Sequence, residues 1–171
     1  MLETERLVLR PFEEGDLDAM CAVYRDPEFV HHPGGGRQRS REDLAERLTR
    51  VLTHWELHGF GLFALVDREK RDFLGHCGVA YLHGMDDAEL SFALALHAWG
   101  RGLATEAVRQ VLRHAFEVVG LPRVVGVALA ANVASQRVMT RAGMTVRQPY
   151  VIDGKDAVLF AIDNPMSPSV G

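Results

Sequence analysis

At 171 residues and 19.0 kDa the chain has the length of one domain and enough material to bury a sizeable core. Hydrophobic residues at 47% and charged residues at 25% are ordinary globular usage, which excludes intrinsic disorder and collagen-like or mucin-like classes. A formal charge of −4 and a pI near 6.0 oppose the basic footprint of phosphate-backbone binding, so nucleic acid is not an expected partner. Cys21 and Cys77 stand far apart, with no CxxC or Cys/His cluster, which argues against a disulfide framework or a zinc knuckle. No apolar run reaches a membrane span, and the first ten residues carry charges where a signal peptide needs apolar ones. A cytoplasmic location with no membrane partner is the expectation.

Residues 6–12, RLVLRPF, alternate with Leu7 and Leu9 on one face and predict a first, half-buried strand. Asp16 is placed to cap a helix running to Tyr24, which Asp26-Pro27 ends. Residues 31–39, HHPGGGRQR, have no periodicity and read as a mobile loop. Ser40 with Asp43 approximates a capping box and opens a long helix with Leu44, Leu48, Val51, Leu52 and Trp55 on one stripe, stopped by Gly59. Strands follow at 60–66, 73–82 and 88–96, an antiparallel meander with polar turns. Residues 104–119 carry the clearest 3.6-residue period, with Gly120 as the stop. A Val-rich strand at 123–128, a helix from the cap Asn132 to Ala142, a short strand near 144–146 and a last strand at 156–162 complete the order. Residues 1–165 make one expected domain, and 166–171 a frayed tail.

The most informative stretch is WGRGLATEA, residues 99–107, where a strand ends, two glycines turn the chain and a strong helix begins. Unpaired N–H groups at a positive helix end suit a phosphate, and glycine lets backbone approach it closely. The bland alternative is a tight strand-to-helix turn that needs glycine conformations and nothing more. Neither a Walker A loop nor a dinucleotide fingerprint fits the spacing.

WGRGLATEA resembles the pyrophosphate-binding motif of the GNAT superfamily of acetyl-CoA-dependent N-acetyltransferases, Q/R-x-x-G-x-G/A, with Trp99, Gly102 and Ala104 in the three places. The tryptophan departs from that pattern and matches the RimJ/RimL-like branch, which acetylates ribosomal-protein N-termini. ETERLVLRPF at 3–12, GHCGV at 75–79, ELSFAL at 89–94 and NVASQRVMTRAGM at 132–144 resemble the same branch. The resemblance implies an α+β fold, with a mixed, mostly antiparallel sheet flanked by helices and splayed between its fourth and fifth strands, here 88–96 and 123–128. It implies an acetyl group moving from acetyl-CoA, the donor substrate, to a primary amine by direct attack in a ternary complex, with no metal. Phe92, Ala93 and Leu94 would pair with the pantetheine arm, and Gly100, Arg101, Gly102, Leu103, Ala104 and Thr105 would wrap the pyrophosphate. Asn132 and Ser135 would lie at the thiol end, although helix capping alone also accounts for both.

The reaction needs a neutral amine, a donor for the oxyanion and a proton for the leaving thiolate. Glu89 is the candidate base, against the alternative of a solvated carboxylate following Asp86 and Asp87. The family's tyrosine acid aligns with Met139, which cannot donate, leaving Ser135, water, or no acid at all, since a thiol of pKa ~8.5 is already a tolerable leaving group. His31 and His32 either line the acceptor site or form a solvated turn. His54 and His58 have a metal-like spacing without a third ligand. Trp55 and Phe60 either shape an acceptor pocket or pack in the core, and Cys77 reads as a small core residue. The expected partner is an amine, the α-amino group of a protein N-terminus or of a small molecule, and a homodimer stays open. The competing class is a non-catalytic acyl-CoA-binding or sensor domain.

Overall fold

The computed structural model describes residues 1–32, 38–82 and 84–166. Most of the expected glycine loop and all but the first residue of the expected tail therefore lie outside the described residues. The strands are β1 (Leu2–Glu3), β2 (Leu7–Pro11), β3 (Leu62–Asp67), β4 (Phe73–Ala80), β5 (Ala88–Leu94), β6 (Arg123–Leu129), β7 (Thr145–Ile152) and β8 (Lys155–Asp163). They form one sheet in the order β1-β2-β3-β4-β5-β6-β8-β7, in which only the β5–β6 pair is parallel. The helices are α1 (Leu17–Tyr24), α2 (Pro27–His31), α3 (Arg41–His58), α4 (Leu103–Glu117) and α5 (Val133–Arg141).

The central strands are buried on both faces, and side-chain alternation deals their residues to two cores. Phe63 and Leu65 of β3 pack with Val108, Val111 and Leu112 of α4, while Leu62 and Ala64 pack with Met20 of α1 and Leu44 and Leu48 of α3. Each such leucine, taken fully out of water, contributes about 2 kcal/mol. Helix α3 begins on the capping box expected at Ser40 and Asp43 and ends on left-handed Gly59.

The sheet splays where expected. β5 pairs with β6 only over Ala88, Leu90 and the Glu89 between them; β6 then continues against β8 while β5 stays with β4 as far as Leu94. Gly75 of β4 makes that second pairing possible. Its φ is 137°, and a Cβ there would sit 2.0 Å from the Ala93 carbonyl oxygen.

Several local expectations are corrected. Asp26-Pro27 starts α2 rather than leaving a bare break: the Asp26 carboxylate accepts from the Glu28 N–H, and Pro27 takes the first helical position, where no N–H is needed. Asp16 precedes α1 without capping it, because its carboxylate is held by Arg10 at 2.7 and 2.8 Å and by the Glu13 N–H. The short strand expected near 144–146 is the eight-residue β7, an exposed edge strand whose Pro149 and polar residues hide the alternation. No helix among the described residues is long and apolar enough to cross a membrane.

A buried polar chain ties the helical layer to the sheet. The Tyr24 hydroxyl lies 2.7 Å from His76 Nδ1, and His76 Nε2 lies 3.0 Å from Ser91 Oγ and 3.2 Å from Arg47 Nη2. A guanidinium can only donate, so Nε2 is the accepting nitrogen, and Nδ1–H donates to the Tyr24 oxygen. Burial, then the positive charges of Arg47 and Arg39, push the His76 pKa well below its ordinary value. The unfolded chain takes up this proton from about pH 6.5 downward and the folded chain does not, so stability falls as pH drops through that range. The slope contributed by one such group approaches ~1.4 kcal/mol per pH unit. Melting curves between pH 7 and 5 are expected to show a shallower fall in Tm for His76→Gln than for the parent; equal slopes would contradict the assignment.

Candidate active site

The glycine turn is built by interactions on both of its sides. The Trp99 indole N–H donates to the Leu94 carbonyl at 2.6 Å, tying the turn to the end of β5. On the other side Arg6 Nη1 donates to the Arg101 carbonyl at 2.8 Å. Gly100 and Gly102 have φ of 71° and 76°, and a Cβ at Gly100 would meet nothing within 4 Å. Backbone conformation therefore demands glycine there, and the space in front of the turn stays open. Gly102 precedes α4, and the N–H groups of residues 103–105 begin the helix outside its own hydrogen-bond ladder. Glu106, in that first turn, would oppose an anion, but it is already committed. Thr4 Oγ1 and the Arg6 backbone and Nε all donate to it. Burial works against its charge, yet these bonds and the Arg6 cation outweigh burial and hold its carboxyl below the ordinary value. The helix end is left net positive.

In front of this turn lies a cavity of about 260 Å³. Phe92, Ala93, Leu94, Gly100, Gly102, Leu103, Ala104, Thr105, Asn132 and Ser135 all line it. Of the residues expected around the donor only Arg101 does not: its guanidinium reaches toward Asp67, at 3.9 Å. His32, its ring centroid 4.3 Å from that of Trp99, also faces the cavity, as do Phe29 and Val138. His32 was legible only as one half of an ambiguous pair. Its neighbour His31 instead bonds the Pro27 carbonyl within α2.

Asn132 and Ser135 are locked together. The Ser135 backbone N–H donates to Asn132 Oδ1 at 3.1 Å, which fixes the amide orientation and directs Asn132 Nδ2 to Ser135 Oγ at 2.9 Å. The serine oxygen accepts from the amide, so its proton is free to donate elsewhere. Met139 turns away into the core, 2% exposed, where its sulfur would lie 2.7 Å from a Cβ on Gly126.

A second cavity, of about 440 Å³, opens beside Glu89 and Ser91 and is walled by Arg47, Arg50, His54 and Tyr81. Strand alternation separates these residues from Phe92 and Leu94, so Glu89 and Ser135 line different cavities on either side of β5. Glu89 is only 5% exposed, which removes the reading of a solvated carboxylate. Arg47 was not singled out from the sequence, although the signal was present: it stands three residues after Leu44 and four before Val51, inside the apolar stripe of α3.

The remaining conspicuous residues are held by packing and hydrogen bonds within the fold. His54 Nδ1 meets the Phe60 carbonyl and its Nε2 accepts from the Tyr81 N–H, so neither ring nitrogen is free for a metal. Among the described residues no group of three or more His, Cys, Asp or Glu is arranged to hold a metal ion. Trp55 donates to the Leu62 carbonyl and packs on Phe63, and Phe60 is buried with the same core. Cys77 is fully buried and its thiol is pushed up by burial.

Comparison with known proteins fits this geometry. The acetyltransferase (GNAT) domain family model matches residues 6–145. The uncharacterized N-acetyltransferase YoaA of Bacillus subtilis (strain 168) is 26% identical over 145 residues, covering 84% of this chain and 81% of YoaA. Among solved structures, the ribosomal-protein-S5-alanine acetyltransferase of Vibrio fischeri superposes with a TM-score of 0.77 at 17% identity, covering 98% of each chain. The spermidine N-acetyltransferase of Vibrio cholerae, in complex with CoA and spermine, does so with a TM-score of 0.74 at 18% identity, covering 94% of this chain and 97% of that one. The splayed sheet, the glycine turn at the start of α4 and the family match together make this chain a member of the GNAT family, an acetyl-CoA-dependent N-acetyltransferase.

Proposed function

We propose that this enzyme acetylates an α-amino group, on a protein N-terminus or a small molecule, by direct attack in a ternary complex, and that it belongs to the RimJ/RimL-like branch. The observation that carries the reading is that one splayed strand, β5, walls both cavities. The first cavity takes acetyl-CoA. Its pyrophosphate lies on the turn from Gly100 to Thr105, and its pantetheine arm runs along the unpaired edge at Phe92, Ala93 and Leu94. The apolar lining and the open cradle of N–H groups fit those two parts of the molecule respectively. Arg101 acts through its backbone and the Arg6 bond rather than through its charge.

The second cavity takes the acceptor, whose amine meets the thioester at the gap where β5 parts from β6. Glu89 accepts its proton, directly or through a water, as the nitrogen attacks the thioester carbonyl. The C–N bond forms, the C–S bond breaks, and the Ser135 hydroxyl donates a hydrogen bond to the departing thiolate. A thiol of ordinary pKa, ~8.5, leaves without a strong acid, which suits a site where Met139 replaces the family's tyrosine. The same economy selects the acceptor. Peptide N-terminal α-amines, at ~7.7 to 8.0, lie about 2.5 units closer to their neutral form than lysine at ~10.4, a difference of about 3.4 kcal/mol at neutral pH.

Mass spectrometry of short peptides carrying a free N-terminus and an internal lysine is expected to find the acetyl group on the α-nitrogen; modification confined to lysine would refute the acceptor assignment. Glu89→Gln is expected to lower kcat on the order of 10²-fold with acetyl-CoA affinity nearly unchanged, read from initial rates and from titration. Acetyl-CoA is expected to raise Tm through binding to the folded state alone. Gly102→Glu, which sets strain and negative charge where the turn meets pyrophosphate, should remove that shift; a folded variant that still binds CoA would exclude the turn as the phosphate site.

A further inference from the structure

Among the described residues, Arg47 is a cation without an acid. By contrast, half-buried Arg10 is paired with Asp16, and the more exposed Arg6 with Glu106. Arg47 projects from α3 into the layer between helix and sheet. Its partner there is the imidazole of His76, which is neutral, and among the described residues no carboxylate forms an ion pair with it. Burial, against the partial support of the Tyr24 oxygen, lowers its pKa, as expected of a desolvated guanidinium lacking a counter-ion. An uncompensated charge of this kind is costly in a folded protein, and an incoming carboxylate would remove that cost.

The position of Arg47 says where such a carboxylate would sit. Arg47 and Ser91 both meet His76 Nε2, so the guanidinium lies at the level of Ser91 along β5. Glu89 is the next residue on the same face, about 7 Å along the strand. The second cavity therefore presents an acid at one end and a cation at the other. An ammonium and a carboxylate a few bonds apart fill that span with one charge-assisted hydrogen bond at each end. Arg50, at the same rim, is mostly exposed and already faces Glu46, so it adds to the field more than to the contact.

We infer that the acceptor carries a carboxylate close to its α-amine and that Arg47 is the residue that selects it. The inference rests on the α-amine reading above and narrows it. The carboxylate comes either from a free amino acid or from an Asp or Glu side chain at the first position of a peptide, and the two sources share one chemistry and one seat.

Initial rates with acetyl-CoA against free amino acids and their amides, and against C-amidated dipeptides beginning with Asp or Glu and with Asn or Gln, separate the sources. The expected result is a kcat/KM at least about tenfold higher for the carboxylate member of one set of pairs, arising in KM. Equal use of both members in both sets would overturn the inference. Arg47→Gln keeps an N–H donor for His76 while deleting the charge, and is expected to bring the ratio close to one. Arg47→Lys, which keeps the charge, is expected to retain part of it. A ratio unchanged in a folded Arg47→Gln protein, judged by Tm, would reduce Arg47 to a support for His76 and overturn its role. The same compounds in N-acetylated form, titrated into the CoA-bound protein, test recognition without turnover. Carboxylate-dependent binding with no amine acetylated would sink the acceptor chemistry and uphold the seat at Arg47. Amine turnover with carboxylate-independent binding would sink the seat alone.

Discussion

The separation of β5 from β6 after Leu90 is the constraint on which the rest of this structure depends. A sheet interior is normally closed, each strand satisfying the N–H and C=O groups of its neighbours. Here the first three residues of β5 pair in parallel with β6 and the last four do not. Each side of the break is held by contacts of its own. β5 is drawn to β4 by a glycine that admits the Ala93 carbonyl where a side chain would collide, and its end is held by the Trp99 indole. β6 is paired along its whole length with β8 and packed under Met139. The backbone groups left over on β5 form one wall of the cavity in front of the glycine turn.

Electrostatics at the turn follow the same logic of prior commitment. A helix that presents its N-terminus to a phosphate gains from its unpaired N–H groups only if no local anion competes. Glu106 sits in that first turn and would compete were it free. Thr4 and Arg6, from the segment between β1 and β2, bind it instead, and Arg6 simultaneously holds the Arg101 carbonyl. Residues nearly a hundred positions away in sequence therefore set the sign of the field in front of Gly102.

How much of this was legible depended on whether a residue's role was local. The capping box at Ser40, the stop at Gly59, the period of α4 and the glycine turn all act within a few residues, and each stands close to where the sequence puts it. Edge strand β7 was foreseen only as a fragment, because an exposed strand has no burial pattern to read. α2 was missed because Asp-Pro serves equally to end one helix and to start the next. The grouping of Asn132 and Ser135 with the turn came from resemblance, since nothing in spacing brings α5 to the mouth of α4. Arg47 escaped for a different reason: a single cation in an apolar stripe reads as a snorkelling surface residue until its neighbours across the sheet are known.

The two-residue period of a strand is what lets one element serve two substrates in the proposed reaction. Leu90, Phe92 and Leu94 share one face with α4 and the donor cavity; Glu89 and Ser91 share the other with Arg47 and His76. A slip of one residue would exchange the two sets, driving the Glu89 carboxylate into the apolar core under α4 and the Phe92 ring against a guanidinium. In the proposed reaction the register therefore matters to the chemistry as well as to the fold. It is pinned at one end by the Gly75–Leu94 pair, where only glycine fits, and at the other by the pairing of Ala88 with Val124. His76 adds a third pin from the side, because its Nε2 accepts from Arg47 and meets Ser91 only when Ser91 faces the helices. The buried imidazole thus holds the cation and the strand in one relation, so that the Glu89 carboxylate and the guanidinium stand a fixed repeat apart.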